Sequence, residues 1–166
     1  MQIISGVVIL LCILTAALGF VTEAKAGCQG GFSNYAGHCY FYADSSEPKL
    51  TWFEASALCV SKGAYLVNIG SHGEQAYIER MIRNTARENL WIGGNDIGQN
   101  QQYWTKGNAV GSTDGYTNWK TGEPSRLHSG NREPCMCIWG DSGDRWNDLD
   151  CFARIFYICE HDNSQY

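Results

Sequence analysis

The chain has 166 residues, 44% of them hydrophobic, with a formal net charge of −5 and only 12 Lys and Arg. That length fits one domain with its own core, and the scattered basic residues exclude the positive face that a nucleic-acid partner requires. Eight Cys in so short a chain point to an oxidising compartment.

In chain order, Met1 to about Phe20 is a run of Ile, Val, Leu and Ala, followed by an Ala-x-Ala step that ends at Ala26. This reads as a secretory signal peptide over 1–26, the alternative being an uncleaved anchor, for which a span of about 20 apolar residues makes the run marginal. No later segment is apolar enough to cross a bilayer. The expectation is a secreted, extracellular chain with no membrane span and one domain at 27–166.

Removing Cys12 with the signal peptide leaves Cys28, Cys39, Cys59, Cys135, Cys137, Cys151 and Cys159. An odd number predicts three bridges and one leftover thiol, free to pair with a second chain or a small thiol. Zinc at Cys135-x-Cys137 is disfavoured, because no second close pair and no His-x-x-x-His follows.

Tyr40-Phe41-Tyr42 predicts a strand of an opening hairpin. Thr51 and Glu54 form a capping box for a first helix whose Trp52, Ala55, Leu58 and Cys59 make one apolar stripe, ended by Gly63. Ser71 and Glu74 form a second box. It opens a helix with Tyr77, Ile78, Met81 and Ile82 on one face and Arg80, Arg83 and Arg87 suited to its negative end. Short strands follow at Leu90-Trp91-Ile92 and over Arg154 to Cys159, separated by stretches rich in Gly, Asn, Asp, Thr and Ser. The segment from Gly93 to Ser129 lacks periodicity and is far longer than an ordinary connection, which marks it as functional or disordered. Trp104, Tyr116 and Trp119 within it argue for order, since disordered segments are poor in aromatics.

Oxygen-bearing residues gather towards the C-terminus: Glu123-Pro124-Ser125, Glu133, and Trp146-Asn147-Asp148. Three carboxylates with the neutral oxygens of Ser125 and Asn147 make the hard, charge-rich shell that Ca²⁺ prefers. For an enzyme one looks for a Gly-x-Ser-x-Gly turn, a His-Glu-x-x-His helix, a phosphate-cradling glycine loop or a Cys with an oriented His. None is present, so the chain is expected to bind rather than catalyse.

The ordered set of Thr51-Trp52-Phe53-Glu54-Ala55, Trp91-Ile92-Gly93-Gly94, Tyr103-Trp104, Asn118-Trp119, Glu123-Pro124-Ser125, Trp146-Asn147-Asp148 and Tyr157-Ile158-Cys159-Glu160 resembles the C-type lectin domain from Cys28 to Glu160. The resemblance implies an α+β fold: two helices, small antiparallel sheets and a long calcium-binding loop region stapled by disulfides. It implies Cys28–Cys39 as the extra bridge of the long form and Cys59–Cys159 as the tie between the domain's ends. Cys151 then joins Cys135 or Cys137. The Glu133-x-Cys135 step matches the family and favours Cys135, whereas the distance to Trp146 fits Cys137 better. With Cys135 bridged, Cys137 is the odd thiol and a route to a homo-oligomer.

The same resemblance assigns Glu123, Ser125, Glu133, Asn147 and Asp148 both to one Ca²⁺ and to carbohydrate, with a cis bond before Pro124 and His128 within reach of ligand. Ser125 departs from the family's Asn, and its hydroxyl has one proton where a carboxamide offers a carbonyl and an NH₂. The Glu at the triplet's first position implies mannose, N-acetylglucosamine or fucose before galactose. The family's auxiliary calcium site is degraded: Asp96 matches, while Asn100, Arg126 and Pro134 stand where acids are usual. The implied function is calcium-dependent carbohydrate binding by a secreted lectin, in recognition or agglutination of microbes as in innate immunity. The alternative is a lectin-like protein that binds another protein or a crystal surface without sugar. The tryptophans read as core or loop anchors and His38, His72 and His161 as surface residues.

Overall fold

The structure, a computed structural model, describes residues 27–28, 30–84, 88–112 and 115–163. The signal segment 1–26 and Arg87 lie outside the described residues.

Capping chemistry sets both helices. α1 (Trp52–Ser61) starts at Thr51, whose hydroxyl accepts the Glu54 N–H while the Glu54 carboxylate accepts the Thr51 N–H at 2.9 Å. Trp52, Ala55 and Cys59 face the core with Leu58 at its margin, and Gly63 turns the chain out at φ +71°, a left-handed step that a Cβ disfavours. α2 (His72–Ile82) starts at Ser71, which accepts the Glu74 N–H, but the expected reciprocal box does not close. Glu74 instead accepts the Gly70 N–H (2.9 Å) and the Tyr40 hydroxyl (2.8 Å), which ties the helix start to the first hairpin.

That hairpin is β1 (Ser33–Tyr35) with β2 (His38–Tyr42), as the aromatic run predicts. The other strands are β3 (Tyr65–Leu66), β4 (Leu90–Asn95), β5 (Leu127–His128), β6 (Asn131–Arg132), β7 (Cys135–Trp139), β8 (Arg145–Leu149) and β9 (Phe156–Asp162). The main sheet runs β1-β2-β9-β4-β7-β8, with β3 also on β9, while β5 and β6 form a small separate hairpin. The last strand begins and ends later than the sequence suggests, because β2 pairs with it as far as His38↔Asp162. Gly93 is required by a close approach: a Cβ there would lie 2.5 Å from the Leu66 carbonyl oxygen and 2.8 Å from the Thr105 hydroxyl.

The sheet separates two buried clusters, one built on Ile78, Ile92, Met136 and Trp146, the other on α1, Trp91, Tyr157 and the half-cystines. Alternation along β7 sends Met136 and Ile138 to the first and Cys135 and Cys137 to the second. Cys135 and Cys137 thus share a face, and strand register decides between them. Cys135 lies opposite Leu149, two residues from Cys151, whereas Cys137 lies opposite Asn147. The bridges are Cys28–Cys39, Cys59–Cys159 and Cys135–Cys151. Cys59–Cys159 closes a 100-residue separation, a constraint on the unfolded chain equivalent to about 4–5 kcal/mol.

Cys137 corrects one expectation. It is the free cysteine among the described residues, 0% exposed in the middle of the sheet, with its thiol made harder to ionise by burial and by the nearby Asp148 carboxylate. A disulfide to another chain needs an accessible sulfur, so Cys137 is not the route to a dimer.

Candidate functional site

Trp146 fixes the long loop. Fully buried on β8, its ring meets Trp104, Tyr116 and Trp119 edge-on at centroid distances of 5.5, 5.6 and 5.8 Å, so the three aromatics of the loop converge on one indole. Its Nε1–H donates to Gln75 Oε1 at 2.9 Å, and Gln75 Nε2 donates to Glu79 and to the Asp144 carbonyl. Backbone bonds from Trp146 N–H to Asn118 and from Lys120 N–H to the Trp146 carbonyl clamp the loop against β8. The residues that follow Trp146 are the candidate ligands.

Glu123-Pro124 is cis, as the resemblance implied. The Ser125 N–H donates to Glu123 Oε2 (2.7 Å) and lies 3.2 Å from Asp148 Oδ1, and the Arg126 N–H donates to Asp148 Oδ2, with Arg126 in the left-handed region at φ +62°. Two successive N–H groups therefore orient the 0% exposed Asp148 carboxylate. The Glu133 N–H closes the turn onto the Arg126 carbonyl at 3.1 Å, bringing Glu133 to the same corner. The Asn147 amide nitrogen contacts the Asp148 carbonyl oxygen.

Electrostatics report how tightly these acids are gathered. Burial, then the neighbouring Glu123, raise Asp148 above the usual carboxylate range against the opposing N–H bonds. Burial, then the Asp148 charge, raise Glu133, and His128 opposes that shift. Glu123 feels desolvation too, but hydrogen bonds from the Asp148 and Ser125 side hold it low. Hydrogen bonds thus join Glu123, Ser125 and Asp148, the Asp148 and Glu123 charges reach Glu133, Asn147 touches the Asp148 carbonyl, and His128 lies on the adjoining β5–β6 hairpin.

Residues 48–161 match the family model of the Lectin C-type domain. The chain belongs to the C-type lectin family. A mouse C-type mannose receptor 2 is 32% identical over 140 residues, 84% of this chain but 9% of that protein, so this chain corresponds to a small part of that relative. The mouse scavenger receptor C-type lectin carbohydrate-recognition domain superposes with a TM-score of 0.71 at 28% identity, covering 84% of this chain and 99% of that one. A calcium-independent type II antifreeze protein superposes at 0.67 with 29% identity, covering 81% and 94%.

C-type lectin domains are generally non-enzymatic binding modules that typically hold calcium, and this one departs from the pattern at the auxiliary position. Asp96, 1% exposed, faces Arg132 Nη2 at 3.1 Å and Arg126 Nε at 3.9 Å. The expected opposition from Arg126 is joined by Arg132, which sequence reasoning missed and for which the sequence carries no signal. Gln75 was missed as well, although it lies three residues before Ile78 on the buried face of α2 and so carried a detectable periodicity. Among the described residues no helix of this C-type lectin chain is long and apolar enough to cross a membrane.

Proposed function

We propose that this chain is a secreted lectin that binds carbohydrate through a calcium ion held by Glu123, Ser125, Glu133, Asn147 and Asp148. The observation that supports it is that three carboxylates from the long loop, β8 and the β6–β7 connection act on one another's protonation, with Ser125 and Arg126 N–H groups holding Asp148 beside Glu123. Isolated at a protein surface, such acids repel. A divalent cation removes that cost, and an all-oxygen donor set fits calcium.

Bound there, calcium would supply coordination places for two vicinal sugar hydroxyls. The residues do the rest: Glu123 and Glu133 accept hydroxyl protons, and charged bonds of this kind are about twice as strong as neutral ones. The preserved Glu123 favours mannose, N-acetylglucosamine or fucose, and His128 and Leu127, exposed on the adjoining hairpin, face the rest of the glycan. A single shallow site binds a monosaccharide at about millimolar Kd, so microbial or cell-surface polymers are the natural targets, where linked sites raise avidity ~10²–10⁴-fold.

The test is retention on mannan resin in calcium, elution by EDTA, and loss in Glu123→Gln. Retention indifferent to EDTA and to the substitution would abandon this reading. It would favour the second one, a protein or crystal surface bound by the same face without sugar. Ser125 and the likeness to a calcium-independent antifreeze protein are the observations that speak for that alternative.

A further inference from the structure

Where β2 and β3 both pair with the C-terminal end of β9, His38, Glu160 and Asp162 form a cluster whose ligand atoms all lie within 4.8 Å of one another. Strand geometry builds it. Glu160 and Asp162 are two apart on β9 and so share a face, and His38 on β2 is directly opposite Asp162. His38 Nδ1 lies 2.7 Å from Glu160 Oε1 and 3.2 Å from Asp162 Oδ1. Neither contact has hydrogen-bond alignment, so the nitrogen is a buried polar atom without a partner.

Glu160 is held from behind, at the oxygen turned away from His38, while Asp162 is held at both oxygens, including the one that faces His38. The Asn68 N–H donates to Glu160 Oε2 at 3.0 Å, the Tyr65 hydroxyl donates to Asp162 Oδ1 at 2.9 Å, and Lys106 sits nearer Asp162 Oδ2 (2.8 Å) than Oδ1 (3.1 Å). Bonds of this kind fix ligating carboxylates in metal sites. The cluster opens into a cleft of about 220 Å³ lined by His38, Tyr65, Asn68, Lys106 and Glu160, and the Asn68 amide nitrogen there is a second buried donor without a partner.

We propose that His38, Glu160 and Asp162 form a second metal site, selective for a borderline divalent ion of the zinc class. Bonds of roughly 2.0–2.2 Å in a tetrahedral shell put ligand atoms about 3.3–3.6 Å apart, so His38 Nδ1, at 2.7 and 3.2 Å from the two carboxylates, has to draw back by less than about 1 Å to admit an ion. One imidazole with two carboxylates suits zinc, whereas calcium takes six or more oxygens. Two carboxylates outnumber the single Lys106 ammonium, so the site attracts a cation. The fourth place is open to water in the cleft, with the unpaired Asn68 NH₂ lining it. His38 and Asp162 are about half exposed, which gives the ion an entry path. A bound ion would join β2 to β9 beside the Cys59–Cys159 bridge.

The experiment is zinc competition against a chromogenic chelator on the oxidised, untagged chain, repeated with Co²⁺ to read visible d–d absorption. One equivalent is expected. His38→Ala and Asp162→Asn should each weaken it at least about tenfold, the loss typical even of removing a group that only orients a ligand. Each also loses contacts of the metal-free chain, so the readout for each is the change in its Tm on adding zinc. Zinc should raise the Tm of the unaltered chain and not that of His38→Ala. Glu123→Gln should leave zinc uptake unchanged, so this result and the calcium result are independent. Absence of stoichiometric uptake, or uptake that survives His38→Ala, overturns the proposal.

Discussion

Trp146→Phe tests whether one indole organises the loop. The substitution keeps an apolar ring of smaller size but deletes the N–H that Gln75 Oε1 accepts at 2.9 Å in a fully buried setting. An orphaned buried acceptor costs about 1–3 kcal/mol. The lost ring volume weakens edge contacts with Trp104, Tyr116 and Trp119, each worth about 0.5–1.5 kcal/mol when intact. Losing a fraction of these gives a total near 3 kcal/mol, a large share of a stability of about 5–15 kcal/mol. The decisive measurement is a double-mutant cycle by urea denaturation with Gln75→Leu. Removing both partners of the bond should restore about 1 kcal/mol relative to the sum of the single changes. Calcium affinity should fall in Trp146→Phe as well, because Asn147 and Asp148 follow it on the strand. Additive single effects, or a cost for Trp146→Phe under about 1 kcal/mol, would refute the assignment of Trp146 as the loop's anchor.

Ser125→Asn supplies the missing carboxamide and should tighten monosaccharide binding up to about tenfold, the equivalent of ~1.4 kcal/mol; unchanged affinity by competition on mannan would remove Ser125 from the shell. Cys137 should resist a thiol reagent in the native state and give one equivalent on unfolding, with a monomer band on non-reducing gels; fast native reaction would contradict its burial. For pH, Asp148 and Glu133 are raised, so on folding without metal they hold protons that the unfolded chain has released. The metal-free fold therefore loses stability as pH rises from the ordinary carboxylate range through the raised values, and calcium must displace those protons. Calcium affinity should start to fall on acidification at a pH above the ordinary carboxylate range, with proton release visible as buffer-dependent binding heat; buffer-independent heat there would reject the assignment.

Local signals carried much of the fold. Thr51 with Glu54 marked the start of α1 because the box is complete within four residues, and the three bridges follow the resemblance that the motif order established. Glu74 shows where local reasoning fails: its carboxylate goes to Gly70 and to Tyr40, 34 residues away, and a distant hydroxyl outcompeted the local N–H. The β5–β6 hairpin was hidden because two-residue strands leave no periodicity to read. His38 looked like a surface histidine since its partners, Glu160 and Asp162, lie more than 120 residues away and meet it only through the β2–β9 register. The residues of the proposed triplet site drew notice for the opposite reason: they sit in short contiguous motifs.

The Asp96 contact sets a guanidinium against the buried acid at the far end of the long loop. A carboxylate that is 1% exposed needs a positive partner, and Arg132 provides it from the β5–β6 hairpin while the Asp96 N–H donates to the Pro134 carbonyl at 2.9 Å. The guanidinium does there what a cation would, and it cannot be removed by a chelator. Calcium titration should therefore saturate at one equivalent, and calcium added to the metal-free chain should raise Tm by the contribution of the triplet site alone. Arg132→Ala leaves Asp96 with only the more distant Arg126. The expected cost is about 1–2 kcal/mol, discounted from the value for a buried pair because the arginine itself is more than half exposed. A second calcium equivalent in the unaltered chain would mean that Arg132 yields to metal, and the charge-substitution argument would fail.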